Sequence, residues 1–424
     1  MLETSICDRI ESNVRYYSRE YPVTFSRGEG SFVIDDQGRA FIDFFSGAGA
    51  LNYGHNHPLL KGALIEYLRD DGIVHSLDLN TEAKLRFLEC FERVVLQPRH
   101  LEYKVQFTGP TGTNAVEAAL KLARLVTCRS LIAAFTGGFH GVSLGALAAT
   151  ALRGNRAAAG VQLDQVVRLP YEGFLGGGEI DFIEKMLISE ESGIGPPAAF
   201  LLETVQGEGG LKTLSATFVK RIFALARRIG ALVIVDDVQA GCGRTGRFFS
   251  FEDFSVTPDI VCLSKSISGL GLPMALVLMK GEHDRWKPGE HNGTFRGNNL
   301  AFITAAAALG FWESSSFGEA LGANIDHLES RLDKMCERFA FAGIERKGRG
   351  MFAGVDVHDG KLARQIKQDA FRLGVLLETC GATGSVLKIM APLNIEQKTL
   401  DKGLDILEAA FSGVLSEAAC AAGA

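Results

Sequence analysis

The chain lacks an excess of basic residues, long apolar runs and closely paired cysteines. Its 44 Lys and Arg residues are outnumbered by 50 Asp and Glu residues, and the formal net charge is −6. Nucleic-acid binding relies on clustered Lys and Arg, so this composition argues against that class of partner. No apolar run approaches the ~18 residues that span a bilayer. The longest one, residues 300–311, is Ala-rich and predicts a core helix. Because the N-terminal residues also lack the apolar stretch of a signal peptide, we predict a cytoplasmic protein without a membrane partner.

Cysteine is present but forms no recognisable site. None of the eight cysteines belongs to a CxxC pair, so the sequence supports neither a zinc site nor a redox dithiol, and we predict no metal. A cytoplasmic chain of this length also disfavours a disulfide framework. The expected free thiols are Cys7, Cys90, Cys128, Cys242, Cys262, Cys336, Cys380 and Cys420.

Glycine, by contrast, is abundant. The 424 residues include 49 glycines, where about 30 would be average. Apolar residues make up 46% and charged residues 22%, which is the balance of a globular chain with a sizeable core. The glycines indicate many tight turns and close backbone approaches, either in loops folded around a ligand or simply in many short connections.

Seven short apolar runs predict the strands of one buried sheet. They are rich in Val, Ile and Leu and do not alternate with polar residues, which is typical of a sheet covered on both faces. Helical patterns lie between them, including residues 113–126 and 217–228. Alternating strands and helices predict an α/β fold with a mainly parallel sheet. The runs are Val105–Phe107, Leu131–Phe135, Val166–Leu169, Ala198–Leu202, Leu232–Val235, Ile260–Leu263 and Leu276–Met279.

The two chain ends predict a second, smaller α/β domain. A Gly-containing turn at residues 36–38 separates two apolar stretches and predicts a hairpin. We therefore expect a large domain at residues 54–300 and a small domain built from residues 1–53 and 301–424. Its predicted elements are strands at 32–35 and 40–44, helices at 325–341 and 361–373, and a strand at 386–390.

The strongest local signal is a lysine directly after a predicted strand. It stands in Val261-Cys-Leu-Ser-Lys265-Ser-Ile-Ser-Gly269. At the carboxyl end of a core strand, Lys265 faces the crevice where α/β proteins bind ligands. Burial there lowers the pKa of the amine and suits it to Schiff-base chemistry. The alternative is a solvated lysine at a strand end.

Two acids, Asp236 and Asp237, end the apolar run that precedes a Gly-rich loop at residues 241–246. One carboxylate is expected to face the same crevice. There it could bind a metal, pair with a cation or hold a protonated ring nitrogen. The alternative is a helix cap, which the loop that follows disfavours.

A turn rich in Gly and Thr, Thr108-Gly-Pro-Thr-Gly112-Thr113-Asn114, leads into a predicted helix. The free N–H groups and the positive dipole end of a helix N-terminus suit a phosphate. The turn matches neither GxGxxG nor GxxxxGK[ST], so neither nucleotide-binding loop is supported. The alternative is ordinary helix capping by threonine.

Two further Gly-rich loops follow predicted strands. In the first, Phe139 could lie flat against a ligand ring, with His140 beside it as a base or as a structural histidine. In the second, Glu203, Gln206 and Glu208 could hold a polar substrate. A phosphate cradle, an aromatic platform, an acid for a ring nitrogen and a Schiff-base lysine are together what pyridoxal phosphate requires.

These motifs resemble the class III (ω-amino acid) aminotransferases, which have PLP fold type I. The resemblance covers most of the chain and implies pyridoxal 5'-phosphate as the cofactor. Within the family, the chain is most similar to the subfamily that makes diaminobutyrate for ectoine biosynthesis. The matching segments are Tyr53–Pro58, Thr111–Glu117, Phe139–Gly141, Glu203–Gly210, Asp236–Gly246, Lys265 and Gly293–Gly297.

The resemblance implies a reaction between small amino acid, keto acid and aldehyde substrates. The amino group of L-glutamate would move to the terminal carbon of L-aspartate 4-semialdehyde, giving L-2,4-diaminobutyrate and 2-oxoglutarate. It also implies a homodimer or a dimer of dimers. The alternatives are another ω-aminotransferase (for ornithine, 4-aminobutyrate or a secondary-metabolite precursor), an aminomutase or racemase on the same fold, and a catalytically silent ligand-binding relative.

The resemblance assigns expected roles to single residues. Lys265 would hold the cofactor covalently and shuttle a proton, and Asp236 would pair with the ring nitrogen. Gln239 would contact the ring hydroxyl, and it favours transamination because related aminomutases tend to have Met there. The other expected cofactor contacts are Gly112 and Thr113 on the phosphate, Phe139 on the ring, His140 beside it and Thr294 on the phosphate of a neighbouring subunit.

One departure from the family pattern concerns the substrate carboxylate. The family commonly has an Arg shortly before Pro-Pro-Leu near the C-terminus, paired with the acid that corresponds to Glu208. Here Lys388 stands in that place, in Leu387-Lys-Ile-Met-Ala-Pro-Leu393. Lysine is a point charge without the bidentate fork of arginine. The substrate carboxylate is therefore expected at Lys388 or at another residue such as Arg296.

Overall fold

The computed structural model describes residues 6–422 and the side chains of residues 6–415. The strands are β1 (Phe25–Glu29), β2 (Phe32–Asp35), β3 (Ala40–Asp43), β4 (Tyr103–Phe107), β5 (Ile132–Phe135), β6 (Val166–Leu169), β7 (Ala199–Leu202), β8 (Val205–Gln206), β9 (Lys212–Thr213), β10 (Leu232–Asp236), β11 (Ile260–Leu263), β12 (Leu276–Lys280), β13 (Glu345–Arg349), β14 (Phe352–Asp356), β15 (Val375–Leu376), β16 (Glu378–Cys380) and β17 (Val386–Ile389). The helices are α1 (Ile6–Ile10), α2 (Tyr17–Glu20), α3 (Ser46–Gly49), α4 (Pro58–Arg69), α5 (Glu82–Phe91), α6 (Gly112–Thr127), α7 (Leu144–Ala149), α8 (Arg153–Arg156), α9 (Glu179–Ile188), α10 (Ala216–Ile229), α11 (Asn299–Leu309), α12 (Ser315–Arg338), α13 (Gly360–Leu373) and α14 (Gln397–Ala422).

The largest sheet has the strand order β4-β12-β11-β10-β7-β5-β6. β10 runs parallel to β11 and β7, and β5 runs parallel to β7 and β6. β12 is antiparallel to both of its neighbours, so the other strands of this sheet all point one way. Each predicted apolar run forms a strand within two residues of its predicted bounds. The predicted α/β class with a mainly parallel sheet is confirmed.

Successive residues of each central strand enter different apolar cores, because side chains of a strand alternate between its two faces. Val233 and Val235 of β10 pack with α5, α10 and α11 on one face. Ile234 between them packs with α6 and α7 on the other face. Burial on both faces explains why these strands read as continuous apolar runs.

Residues from both chain ends share a third apolar core. β3 pairs in parallel with β15, so that Ile42 lies beside Val375. Both side chains pack with α12, α13 and α14. The predicted hairpin is confirmed as β2 and β3, and Gly38 in its turn has the positive φ of 84° that glycine adopts without strain. The domain boundaries at residues 53 and 300 stay a prediction.

In the described part of the chain, no single helix is long and apolar enough to cross a membrane. One bent pair, residues 299–312 and 315–338, passes that test by length and composition only, with an angle of 80° between its helices. The predicted core helix at 300–311 is found as α11, in which Phe302 and Leu309 are buried. The cysteines from Cys7 to Cys380 are all free thiols, and Cys420 lies outside the described side chains.

Candidate active site

The carboxyl ends of the parallel strands bring the predicted chemistry together at one edge of the large sheet. Lys265 follows β11, Asp236 ends β10, Glu203 follows β7, and the loop after β5 leads to His140. In open α/β sheets, ligands bind at this edge. The fold therefore gathers these four residues because their strands run parallel and lie in neighbouring positions.

Lys265 is half-buried at the start of a short turn and has a positive φ of 54°. The serines on both sides fix its backbone: Ser264 Oγ donates to the carbonyl of Met274 at 2.8 Å, and Ser266 Oγ donates to that of Gly49 at 2.5 Å. Burial lowers the pKa of Lys265 to about 8, although the Glu208 charge acts in the opposite direction. About a tenth of its amine is therefore neutral and nucleophilic at pH 7, far more than for an exposed lysine.

Asp236 is 4% exposed, and its Oδ2 lies 2.8 Å from Nδ1 of the equally buried His140. Its Oδ1 accepts the backbone N–H of Val238 at 3.2 Å. Asp237 points to the other face, where it accepts hydrogen bonds from Ser250. Burial raises the pKa of Asp237 to about 7. The two neighbouring acids therefore separate, and Asp236 is the one on the His140 side.

The N-terminus of α6 lies against the Lys265 turn. A Cβ at Gly112 would come within 2.7 Å of Val238 Cγ1 and 3.6 Å of Ser264 Cβ, so only glycine allows this close approach. Thr113 Oγ1 lies 2.9 Å from Ser143 Oγ. The helix end thus presents backbone N–H groups and hydroxyls next to the lysine, which is an arrangement that suits a phosphate.

Glu203 braces the loop that carries the predicted aromatic platform. Its Oε2 accepts the backbone N–H of Phe139 at 3.0 Å, and its Oε1 accepts that of Gly207 at 3.3 Å. Burial, followed by the charge of Asp236, raises the pKa of Glu203 well above its usual range. Phe139 itself is half-buried, so part of its ring is available for a ligand.

Lys388 and Glu208 form an ion pair with 2.6 Å between Nζ and Oε1. The pairing expected of the family's Arg is thus made by a lysine. Burial is the largest influence on the pKa of Lys388 and lowers it, but the Glu208 charge and hydrogen bond, together with the Cys380 and Tyr17 groups, outweigh burial and the net pKa is raised. Gln239 hydrogen-bonds Glu208 and donates to the carbonyl of Ala48 at 2.9 Å. The structure therefore joins Glu208, Lys388 and Gln239.

Two predicted residues lie apart from this group. Thr294 is exposed, and its carbonyl is 2.9 Å from Nε2 of His75. Arg296 donates to the carbonyl of Phe107 at 2.9 Å and to Asn292 at 3.2 Å. Among residues 6–415, neither Glu208 nor Lys388 hydrogen-bonds Arg296.

Sequence reasoning missed two contributors to the site. Ser143, which contacts Thr113, lies on a loop without a motif of its own. Tyr17 comes from the N-terminal segment, and its ring packs on Phe45 with 5.0 Å between centroids. Burial and the charge of Glu208 raise the pKa of Tyr17 to about 12. Neither residue carried a local signal, since both reach the site through tertiary packing.

The geometry agrees with the comparisons to known proteins. A family model described as "Aminotransferase class-III" matches residues 15–411. The chain belongs to the class-III aminotransferases. This aminotransferase is 52% identical to a diaminobutyrate–2-oxoglutarate transaminase from Bordetella parapertussis, over 98% of this chain and 97% of the relative. It is also 52% identical to the protein of that name from Vibrio cholerae, over 94% of this chain and 97% of the relative.

This aminotransferase also has the same fold as a solved transaminase structure. The ornithine aminotransferase from Toxoplasma gondii, with PLP at partial occupancy in its active site, matches with a TM-score of 0.83 and 25% identity. The match covers 97% of this chain and 94% of that chain. PLP fold type I is thereby confirmed for this class-III aminotransferase.

Pyridoxal phosphate is the cofactor of this aminotransferase family, and the residues present fit it. An amine of lowered pKa, Lys265, is available for the cofactor aldehyde. A buried carboxylate, Asp236, is available for the ring nitrogen. A helix N-terminus that tolerates only glycine at position 112 lies beside both, where a phosphate fits.

Proposed function

We propose that this chain transfers the amino group of L-glutamate to the terminal carbon of L-aspartate 4-semialdehyde, giving L-2,4-diaminobutyrate and 2-oxoglutarate. The observation that carries the proposal is the amine of Lys265, whose pKa burial lowers to about 8 against the opposing charges of Glu208 and Asp236. The choice of substrates is supported by relatives at 52% identity over nearly the whole chain, whose names give diaminobutyrate and 2-oxoglutarate as the pair that is transaminated.

The chain's residues divide the chemistry between them. When bound, pyridoxal phosphate supplies an aldehyde that takes up an amine and a ring that withdraws electrons from the neighbouring carbon. Lys265 would hold the cofactor through that aldehyde until the substrate amine takes its place. Its freed Nζ would accept the proton from the carbon that bears the substrate amine and would give a proton back during product formation. Asp236, which His140 orients, would hold a proton at the ring nitrogen.

The remaining cofactor contacts fix position. Gly112 and Thr113 would bind the phosphate with the backbone N–H groups and the hydroxyl at the start of α6. Phe139, whose backbone N–H is held by Glu203, would pack on the ring. Gln239, which donates to the carbonyl of Ala48, would contact the ring hydroxyl. These residues would keep the reacting carbon close to Lys265, which lowers the entropic cost of the proton transfers.

One site must accept two differently shaped substrates. L-glutamate enters with an amine beside a carboxylate, whereas L-2,4-diaminobutyrate enters with a terminal amine beside methylene groups. While Glu208 neutralises Lys388, as in the structure, the site suits the terminal amine. When Glu208 turns away, Lys388 offers its charge to the α-carboxylate of glutamate. We assign this role to Lys388 and not to Arg296, which is bound to Phe107 and Asn292.

The first experiment is a titration of the holoenzyme with L-glutamate, followed by visible absorption. Bleaching of the yellow cofactor band, with release of 2-oxoglutarate, is expected. Addition of L-aspartate 4-semialdehyde should then restore the band and produce diaminobutyrate, identified by mass spectrometry. A protein whose cofactor band ignores glutamate would overturn the proposed reaction.

The rival activities give different outcomes in the same assay. Another ω-aminotransferase would bleach with glutamate but recover with a different acceptor, so glutamate semialdehyde and succinate semialdehyde are tested in parallel. An aminomutase or racemase would convert its substrate without 2-oxoglutarate. A silent ligand-binding relative would bind the cofactor and turn over none of these compounds.

We also propose a homodimer in which Thr294 of one copy binds the phosphate held by the other. Support comes from Phe295, 66% exposed, and from the exposed side chains of Ile73, Val74 and Leu77 on the neighbouring segment. His75 links the two segments, since its ring lies 5.3 Å from that of Phe295. Such a patch suits burial against a second copy.

Mixed dimers test this assignment directly. Lys265→Ala and Thr294→Ala subunits are each expected to have very low activity alone. A hybrid of the two restores one intact site if Thr294 acts across the interface, so activity returns on mixing and refolding. If Thr294 acts within its own chain, every site in the hybrid carries a defect and mixing restores nothing.

The cellular role follows from the product. We propose that diaminobutyrate made by this chain feeds an ectoine-type pathway and that the enzyme works in the cytoplasm. The free thiols from Cys7 to Cys380 support a reducing compartment. Deletion of the gene should abolish ectoine accumulation at high salinity, and added diaminobutyrate should restore it. Unchanged ectoine levels would contradict the assignment.

A further inference from the structure

The buried pair of His140 and Asp236 takes its orientation from the loop that carries His140. The two side chains are 1% and 5% exposed, with 2.8 Å between Nδ1 and Oδ2. His140 itself belongs to no helix or strand, because it lies in the loop between β5 and α7. Its backbone N–H therefore needs a partner outside regular structure, and that partner decides how the imidazole faces Asp236.

Thr150 bonds this backbone N–H with its side-chain hydroxyl. Its Oγ1 accepts the N–H of His140 and donates to the carbonyl of Gly141, both at 2.9 Å. The N–H of Ala151 donates to the carbonyl of Gly138 at 2.8 Å and joins the same two segments. Thr150 is 0% exposed, so these bonds form away from solvent. One buried hydroxyl thus fixes the backbone before and after the imidazole.

Gly141 carries the effect of Thr150 to the predicted phosphate site. Its φ is 119°, in the region that favours glycine, and a Cβ there would collide with the side chain of Thr113. Thr113 therefore packs directly on the Gly141 backbone, and its hydroxyl contacts Ser143 two residues further along. Thr150 thus links the acid end of the candidate cofactor site, through His140, to its phosphate end.

Two arginines hold Thr150 through its backbone carbonyl. That carbonyl accepts Nη1 of Arg156 at 2.9 Å and Nη2 of Arg168 at 3.2 Å. Both guanidiniums also donate to the carbonyl of Ala148 near the end of α7, where helix carbonyls lack partners in the helix. Burial, followed by the charge of Arg156, lowers the pKa of Arg168 to about 10. Among residues 6–415 neither arginine forms an ion pair, so these carbonyls are the groups that hold them.

From this geometry we propose that Thr150 is a positioning residue for the reaction, whose hydroxyl orients His140 and, through it, the carboxylate of Asp236. The inference rests on the proposed function, because that carboxylate would hold the proton at the ring nitrogen of the cofactor. A protonated ring withdraws electrons from the reacting carbon, so a misdirected carboxylate slows the proton transfers and leaves substrate binding unchanged. Thr150 acts through His140 and is not itself a catalytic residue.

The first measurement follows His140 in the apoenzyme, by NMR of protein that carries isotope-labelled histidine. The Nδ1 proton of His140 is identified by its loss in His140→Asn. Thr150→Val keeps the shape of the side chain but removes the hydroxyl. This proton should then resonate upfield and exchange with water about tenfold faster or more, because its bond to Asp236 is weakened. Thr150→Ser keeps the hydroxyl and should give the wild-type signal, whereas an unchanged signal in Thr150→Val would overturn the inference.

The second measurement is the glutamate half-reaction of the holoenzyme. Thr150→Val should lower kcat about tenfold and leave KM for L-glutamate within about twofold, and Thr150→Ser should restore kcat. Thr204→Val is the matched control, because Thr204 is 1% exposed and its hydroxyl bonds Ser250 at 2.6 Å, on the Asp237 side of the sheet. It should keep the wild-type kcat, although denaturant unfolding should show a loss of stability similar to that of Thr150→Val.

The remaining outcomes separate positioning from general destabilisation. A wild-type kcat in Thr150→Val, or equal losses of kcat in Thr150→Val and Thr204→Val, would overturn the inference. If Thr150→Val does not fold, Thr150→Ala takes its place in both measurements, since it removes the hydroxyl without adding a methyl group. A holoenzyme whose cofactor band ignores glutamate would overturn the proposed function. The histidine signal of the apoenzyme needs neither cofactor nor substrate, so it would still decide whether Thr150 positions His140.

Discussion

At the scale of single residues, burial changes the pKa of Lys265 more than any neighbouring charge does. Burial is the largest influence on its pKa and lowers it to about 8, although Glu208, Asp236 and Glu203 all act in the opposite direction. A lysine at the edge of water would keep its proton up to about pH 10. The position after β11 therefore prepares the amine for attack on an aldehyde near neutral pH.

This pKa predicts how the apoenzyme takes up its cofactor. The rate of covalent incorporation should rise with pH and level off above about pH 8, because only the neutral amine of Lys265 attacks the aldehyde. The measurement is stopped-flow absorption of the bound cofactor after mixing apoenzyme with pyridoxal phosphate. Lys265→Ala, as control, should bind the cofactor without the covalent band. A rate that is flat or falls over this range would contradict the prediction.

The neighbouring acids Asp236 and Asp237 should differ sharply in importance. Asp236→Asn keeps the side-chain shape but removes the charge that His140 orients, so kcat in the glutamate half-reaction should fall about a hundredfold or more. Asp237→Asn is the matched control, because Asp237 faces Ser250 on the other side of the sheet and should keep kcat within about tenfold. Equal losses of kcat in the two variants would contradict the special role of Asp236. The cofactor content of both variants is measured, so that a loss of kcat is not mistaken for a loss of cofactor.

At the scale of elements, the start of α6 depends on the absence of a side chain at Gly112. Gly112→Ala would place a methyl group 2.7 Å from Val238 Cγ1 and push the helix end away from Lys265. We expect the dissociation constant of pyridoxal phosphate to rise about tenfold or more, since overpacking costs roughly 1–3 kcal/mol. Gly62→Ala in α4 has no atom within 4 Å of the new methyl and serves as control. Cofactor titration of the two apoenzymes distinguishes them, and equal affinities would refute the steric argument.

The elements that could be predicted from the sequence are those whose amino-acid composition reflects their burial. The strands of the large sheet are apolar because both faces are covered, and each was found. β13 was missed because Glu345–Arg349 is polar and lies at the edge of its sheet, where one side faces water. The helix predicted at 325–341 begins at Ser315, since Gly318 and Gly322 weaken the helical signal in its first turns.

The same reasoning separates the predictable part of the site from the rest. Lys265 and Asp236 follow apolar strands directly, so their place at the sheet edge could be predicted locally. The pairing of Lys388 with Glu208 across 2.6 Å depends on strands from distant parts of the chain. Tyr17 depends on the docking of α2 through Lys367. Contacts of this kind have no local pattern, because they form only when the chain ends fold back on the large sheet.

At the scale of the whole molecule, one buried arginine ties the chain ends to the central strand region. Arg244 follows β10 and is 0% exposed. Its guanidinium donates to the carbonyls of Met351 and Ala391 and to the side chain of Asn52. Burial lowers the pKa of Arg244 to about 9, because the charged guanidinium loses its hydration in the protein interior. Segments from both chain ends are thus held against the loop that follows Asp236.

Replacement of Arg244 should lower the free energy of unfolding and weaken substrate binding. Arg244→Met leaves three buried acceptors without a donor, and at about 1–3 kcal/mol each the free energy of unfolding should fall by roughly 3 kcal/mol or more. Denaturant unfolding measures this loss. Arg247→Met is the matched control, because its ion pair with Asp253 is exposed and should contribute about 0–1 kcal/mol. Because Ala391 lies three residues after Lys388, the surviving folded Arg244→Met enzyme should also have a raised KM for glutamate. A variant with wild-type stability and KM would show that the chain ends hold their place without Arg244.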